Sequence, residues 1–207
     1  MFELIKVDPQ LADAVEKELC FSRPQWQYSP ITTNYFDFVK DEDTKRSIST
    51  LKDKFPIKDT QKFSDTFYNS SKAFNYSFTE IRFDPQSRYN KQFPNMARLL
   101  DYLQSTHIPK QYVVRRFLAN LQTIRPEFSI NEVHPDFHNE DYITILYYVN
   151  DSDGDTYFFE NDECIYRVPP VKGTAVMYPS TTLHAGSTPT KSNTRVVINL
   201  CFGPKHN

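Results

Sequence analysis

Glycine is almost missing from this chain: 207 residues carry 4, at Gly154, Gly173, Gly186 and Gly203, and none earlier. Turns that need glycine's backbone freedom are therefore confined to the last third, where these residues separate short runs rich in Val, Ile, Thr, Tyr and Phe. Cysteine is equally sparse. Cys20, Cys164 and Cys201 are odd in number, far apart and in no C-x-x-C pair, which excludes a zinc ribbon and fits a reducing cytosol better than a disulfide scaffold. No apolar run approaches the roughly 18 residues that a membrane span requires. The N-terminal MFELIKVDPQ has no basic stretch followed by an apolar one, so the expectation is no membrane and no secretion. A cytoplasmic protein is expected, bacterial or, if viral, in the host cytoplasm.

An excess of one charge sign is also missing. The formal net charge is -2 and the pI about 6.2, so no overall basic field points to nucleic acid or an anionic membrane surface as a partner. What is present is a folding composition, 39% hydrophobic and 15% aromatic. A chain of this length buries roughly 70% of its unfolded-chain surface as one domain, and 1–207 is read as a single domain.

Asp8 followed by Pro9 opens a helix over 8–20, with Leu11, Val15 and Leu19 on one face. A second helix is read over 92–105 through Met96, Leu99, Leu100 and Leu103. The 21–91 segment has no clean period. From residue 111 the period becomes two, in runs 111–123, 141–149, 156–160, 164–168, 174–178 and 194–202. Alternation puts Tyr142, Thr144, Leu146 and Tyr148 on one face of 141–149 and Ile143, Ile145, Tyr147 and Val149 on the other. In 194–202, Arg195, Val197, Asn199 and Cys201 oppose Val196, Ile198, Leu200 and Phe202. Several short strands at close spacing suggest a sandwich or barrel. The fold class is α+β, mainly β: helical support and a substrate-rim segment over 1–110 and a jelly-roll core over 111–203.

The chemistry concentrates in His134-Pro135-Asp136, then His184, then Arg195. Two imidazoles and one carboxylate can occupy one face of an octahedral Fe(II), leaving positions for a co-substrate and O2. Arg195 adds a planar fork of donors suited to a carboxylate at the far end of that co-substrate, with the Tyr148 phenol on a neighbouring strand face. H-x-D alone is a common surface turn; the order of all these residues around the strands is what gives it weight. His138 can chelate locally with His134 and Asp136 along a loop, and is read as a solvated residue or one that supports the ligands from behind. His107 and His206 are read as a helix end and a tail, and Arg115, Arg116 and Arg125 as strand-face or rim charges, one of which can receive an acidic substrate.

Read in order, His134-x-Asp136, Thr144-Ile-Leu-Tyr-Tyr-Val-Asn150, Asp153-Gly-Asp-Thr-Tyr-Phe158, Pro169 and Pro170 with Lys172-Gly173, then His184 and Arg195 resemble the Fe(II)/2-oxoglutarate-dependent dioxygenases, in the pattern of the prolyl 4-hydroxylase branch. The resemblance covers roughly 111–203. It implies a double-stranded β-helix, iron held by His134, Asp136 and His184, and the C5 carboxylate of 2-oxoglutarate held by Arg195 and Tyr148. Asn120, Gln122 and Asn199 share the inward face and are further candidates for contact with 2-oxoglutarate. The implied reaction consumes O2, releases succinate and CO2 and hydroxylates a prolyl-type protein side chain or a small molecule. A non-catalytic, metal-containing cupin-like binding module is the alternative. The chain departs from the family pattern in four places, the first being Asn120-Leu-Gln122-Thr-Ile-Arg125 where many prolyl hydroxylases have Tyr on the strand before H-x-D. Asp153-Gly154-Asp155 stands where a Gly-Gly pair is usual, the stretch from His184 to Arg195 is longer through Thr188–Asn193, and Cys201 replaces an aromatic residue.

Overall fold

The computed structural model describes residues 2–22, 24, 27–28, 78–82, 93–131, 133–161 and 163–205. In chain order these form β1 (Glu3–Lys6), α1 (Pro9–Glu16), β2 (Gln27–Tyr28), β3 (Phe78–Arg82), α2 (Pro94–His107), β4 (Tyr112–Thr123), β5 (Ile143–Tyr148), β6 (Thr156–Glu160), β7 (Glu163–Val168), β8 (Thr174–Pro179), β9 (Leu183–Gly186) and β10 (Thr194–Pro204). The rim segment expected over 21–91 lies almost wholly outside the described residues.

Asp8 caps α1, its Oδ1 accepting from the backbone N–H of Gln10 at 3.0 Å and of Leu11 at 3.1 Å, and Pro9 sits where a free N–H is not needed. The helix was expected to run to residue 20 but passes into a π-helical turn over Lys17–Phe21. That turn presents Glu18, whose carboxylate accepts from the backbone N–H of Asn95 at 3.1 Å and of Met96 at 2.9 Å. Glu18 thus supplies the cap that Phe93, at the N-cap of α2, cannot give.

Among the described residues the strands form two antiparallel sheets. The larger has seven strands in the order β1-β8-β5-β10-β4-β3-β2, the smaller three in the order β7-β6-β9. The alternation read from the sequence holds. Tyr147, Ile145, Val196, Ile198 and Leu200 face α1 and α2 and pack with Leu11, Val15, Leu19, Met96, Leu99 and Leu103. Burying each such side chain contributes about 1.5–3 kcal/mol, which fixes the helical layer on one face of the sheet. The opposite face lies against the small sheet: Leu146, Tyr148, Val176, Tyr178 and Val197 meet Phe158 and Val168. Between the sheets are the polar residues singled out by the sequence.

Candidate metal centre

β9, a four-residue strand, carries His184, and an isolated antiparallel bridge joins His184 to His134. The two residues exchange backbone hydrogen bonds at 3.0 Å in both directions, and their rings lie 4.7 Å apart between centroids. Asp136 is fixed next to them by its own N–H, which donates to the Ser180 carbonyl at 2.9 Å. Ligand atoms of His134, Asp136 and His184 all fall within 4.8 Å of one another.

The donor chemistry fits a divalent transition metal. His184 Nδ1 lies 3.1 Å from the Thr182 carbonyl, which can only accept, and its Nε2 faces Asp136 Oδ2 at 3.8 Å and the Tyr178 hydroxyl at 3.4 Å. Burial pushes the Asp136 carboxyl up, but the neighbouring His184, Arg116 and His134 and a hydrogen bond from Tyr178 outweigh it and hold the group well below the usual carboxylate range. Asp136 is therefore an anion at neutral pH. His138 is exposed and outside this cluster, as expected.

Asp136 has more partners than the sequence suggested. Arg116 forms an ion pair with Oδ1, Asn199 Nδ2 donates to the same oxygen at 3.0 Å, and the Tyr178 hydroxyl donates to Oδ2 at 2.9 Å. Arg116 was expected to be a strand-face or rim charge; the structure turns it from its strand face onto the carboxylate. Asn199 spends its Oδ1 on Arg116, at 2.9 Å from Nη2. Burial, followed by the Asp136 charge, raises the Tyr178 phenol well above its ordinary value, so it stays a proton donor.

Deeper between the sheets lies Arg195, 4% exposed. Its Nε donates to the Gly154 carbonyl at 2.6 Å, Nη1 to Gln122 Oε1 at 3.3 Å and Nη2 to Thr156 Oγ1 at 2.9 Å. All three acceptors are neutral, and among the described residues no carboxylate pairs with it. Burial lowers its affinity for the proton, outweighing the opposite effect of Tyr148, Asp155 and Tyr178. The slot depends on two glycines: a Cβ on Gly186 would lie 3.0 Å from Arg195 Nη2, and one on Gly154 would lie 2.8 Å from its Cδ. Tyr148 points into the same place, its hydroxyl donating to Thr156 Oγ1 at 2.9 Å, with burial pushing the phenol up to about 12. Thr156 thus accepts from both residues, which leaves its own hydroxyl proton to donate. Sequence reasoning missed Thr156, although its place just after Gly154-Asp155 was the available signal. Gln122 links Arg195 to Asn131 Oδ1 at 3.2 Å. Asn120 shares the β4 face with Gln122, and its Oδ1 is buried with no hydrogen-bond partner among the described residues.

Residues 124–203, the stretch that holds His134, Asp136, Tyr148, His184 and Arg195, match the family model of the 2OG-Fe(II) oxygenase superfamily. The match supports that superfamily. Among curated proteins, none matches this chain. Among solved structures, HygX from Streptomyces hygroscopicus with nickel and 2-oxoglutarate bound overlaps with a TM-score of 0.58 at 10% identity, covering 99% of this chain and 83% of that one. Its form that also carries hygromycin B gives 0.56 at 11% over the same shares. At this identity the likeness is one of fold, a mostly β architecture with two α-helices among the described residues. An oxidoreductase of the same family from Burkholderia pseudomallei gives 0.46 at 17%, covering 63% of this chain and 66% of that one. A Trichoplax adhaerens prolyl hydroxylase in complex with a peptide fragment gives 0.45 at 13%, covering 84% and 94%. Neither overlap carries the chain into the prolyl hydroxylase branch.

Two departures from the family pattern explain each other. Asp153, in place of a glycine, accepts from the backbone N–H groups of Thr190 at 3.0 Å, Lys191 at 2.9 Å and Ser192 at 2.9 Å, and from the Thr190 hydroxyl at 2.8 Å. The loop before Arg195 is therefore tied down by Asp153, in the Asp153-Gly154-Asp155 turn.

Proposed function

We propose that this protein is an Fe(II)- and 2-oxoglutarate-dependent oxygenase that hydroxylates a small molecule or a prolyl-type protein side chain, with a jelly-roll core formed by the two packed sheets. The observation that carries the reading is the pairing of the His134–Asp136–His184 cluster with a buried arginine whose hydrogen-bond acceptors among the described residues are all neutral. A metal held solely for structure in a cupin-like module needs no such cation, and an uncompensated buried charge is costly unless an anion meets it.

Within this reading His134 Nε2 or Nδ1, His184 Nε2 and Asp136 Oδ2 hold iron. Arg195, with Tyr148 and Thr156, receives the C5 carboxylate of 2-oxoglutarate and sets the direction in which the co-substrate lies. When bound, iron and 2-oxoglutarate supply an oxidative decarboxylation that yields succinate and CO2 and delivers one oxygen atom to the substrate. The apolar side chains between the sheets, Leu146, Val176, Val197 and Phe158, exclude water from the co-substrate. Asn120, whose Oδ1 has no hydrogen-bond partner among the described residues, receives a donor from co-substrate or substrate in this reading. O2 is the oxidant.

The hygromycin B carried by HygX makes polar small molecules the first substrate class to screen, and proline-containing peptides the second. The test is Fe(II)-dependent conversion of 2-oxoglutarate to succinate, measured with and without each class. Conversion that needs iron and is stimulated by one class supports the proposal. A protein that binds metal but never consumes 2-oxoglutarate contradicts it.

A further inference from the structure

On the reading that Asp136 is a metal ligand, we propose that Arg116 is its positioning residue. Together with Asn199 and Tyr178, Arg116 builds a carboxylate-holding pocket that leaves Asp136 one oxygen direction for a metal. An ionised carboxylate offers about four lone-pair sites. On Oδ1 the two sites are taken by Arg116 Nη2 and by Asn199 Nδ2 at 3.0 Å. On Oδ2 one is taken by the Tyr178 hydroxyl at 2.9 Å, and the remaining one lies on the side of His184 Nε2, 3.8 Å away.

Arg116 is itself held on several sides. Its Nη1 donates to the Asp136 carbonyl at 3.3 Å, its Nε and Nη2 reach Asn199 Oδ1 at 3.3 and 2.9 Å, and its guanidinium lies over the Phe137 ring at 5.1 Å. Asn199 is braced in turn by the Cys201 thiol, which donates to its Oδ1 at 3.2 Å. A planar fork meets these demands at once, whereas a lysine ammonium supplies a point charge on a loose stem. Arg116 also lies outside the matched stretch 124–203, so this contact comes from the part of the chain that the family comparison does not cover. All three donors reach the carboxylate from strands β4, β8 and β10, and the Asp136 carbonyl that Arg116 also meets persists in a glycine variant. The pocket therefore accepts a free small carboxylate when the Asp136 side chain is removed.

The experiment is a Co(II) titration followed by the visible d–d absorption of the bound ion. Asp136→Gly is expected to lose Co(II) binding and to regain it with saturating formate. Adding Arg116→Gln to that variant is expected to weaken the formate-dependent affinity by about tenfold or more, the scale of a partner of a metal ligand. Rescue of equal strength with and without Arg116, or no rescue in a folded Asp136→Gly protein, overturns the inference. Failure of the wild-type chain to bind Co(II) overturns the reading of the site and this inference with it. Should Asp136→Gly not fold, Arg116→Gln in the otherwise unchanged chain decides: its Co(II) spectrum is expected to differ from wild type and Arg116→Lys to restore part of it, while identical spectra overturn the inference.

Discussion

His134 and His184, distant in the chain, face each other across one antiparallel bridge and exchange both backbone hydrogen bonds at 3.0 Å. The main chain holds the two imidazoles together, independent of any ion. Replacing either ring with Ala should therefore leave the bridge intact while removing a ligand. We expect His134→Ala and His184→Ala to weaken Co(II) or Fe(II) binding by about two orders of magnitude or more, with the metal-free thermal midpoint close to wild type. Calorimetry with parallel thermal unfolding checks this.

Arg195→Ala should weaken 2-oxoglutarate binding by one to two orders of magnitude, because a hydrogen bond to a charged group contributes about 1.5–3 kcal/mol and about 1.4 kcal/mol is tenfold. Gly186→Ala should act in the same direction, since the added Cβ lies 3.0 Å from Arg195 Nη2 and displaces the guanidinium. Binding of 2-oxoglutarate to the Co(II)-loaded protein measures both.

Thr156→Val keeps the shape but removes the oxygen shared by Tyr148 and Arg195. Two buried donors lose a partner, each at a cost of about 1–3 kcal/mol. We expect a lower unfolding free energy in denaturant and weaker 2-oxoglutarate binding, whereas Thr156→Ser should preserve most of both.

Acid should weaken the fold through Asp136 and Asp153. Both carboxyls are held below their ordinary value in the native state, Asp153 because hydrogen bonds from Ser192 and Thr190 outweigh its desolvation. A depressed native pKa gives stability that is full above the unfolded value of about 4 and lost as pH falls through the native one. Denaturant melts between about pH 5 and pH 2 should show this loss. Asp153→Asn should flatten the curve and cost about 1 kcal/mol at neutral pH, a figure already reduced for partial exposure.

The strands that bear chemistry were legible because alternation fixes faces: Tyr148 with Leu146 and Thr144, and Arg195 with Val197 and Asn199, needed only the period of two. The same rule, carried back along 111–123 from Gln122 and Asn120, places Leu118 and Arg116 on that face. Reading Arg116 as a strand-face or rim charge did not use that face to bring it to Asp136. β9 escaped because Leu-His-Ala-Gly is too short to alternate and ends in glycine, and β1 because Ile5 is its single buried residue. The role of Glu18 was not legible, since no local pattern announces that a π-helical turn will swing it onto the start of α2. The jelly-roll topology, the substrate and the prolyl branch depend on long-range arrangement or on the 21–91 segment, about which local periodicity says nothing.

The central claim is that one site binds iron and 2-oxoglutarate together. Anaerobic addition of 2-oxoglutarate to the Fe(II)-loaded protein tests it through the visible metal-to-ligand charge-transfer absorption that chelation produces. The account predicts a band that saturates at one iron per chain, disappears in His184→Ala and requires more 2-oxoglutarate in Arg195→Ala. No band in the wild-type protein, or an unchanged band in His184→Ala, would contradict it.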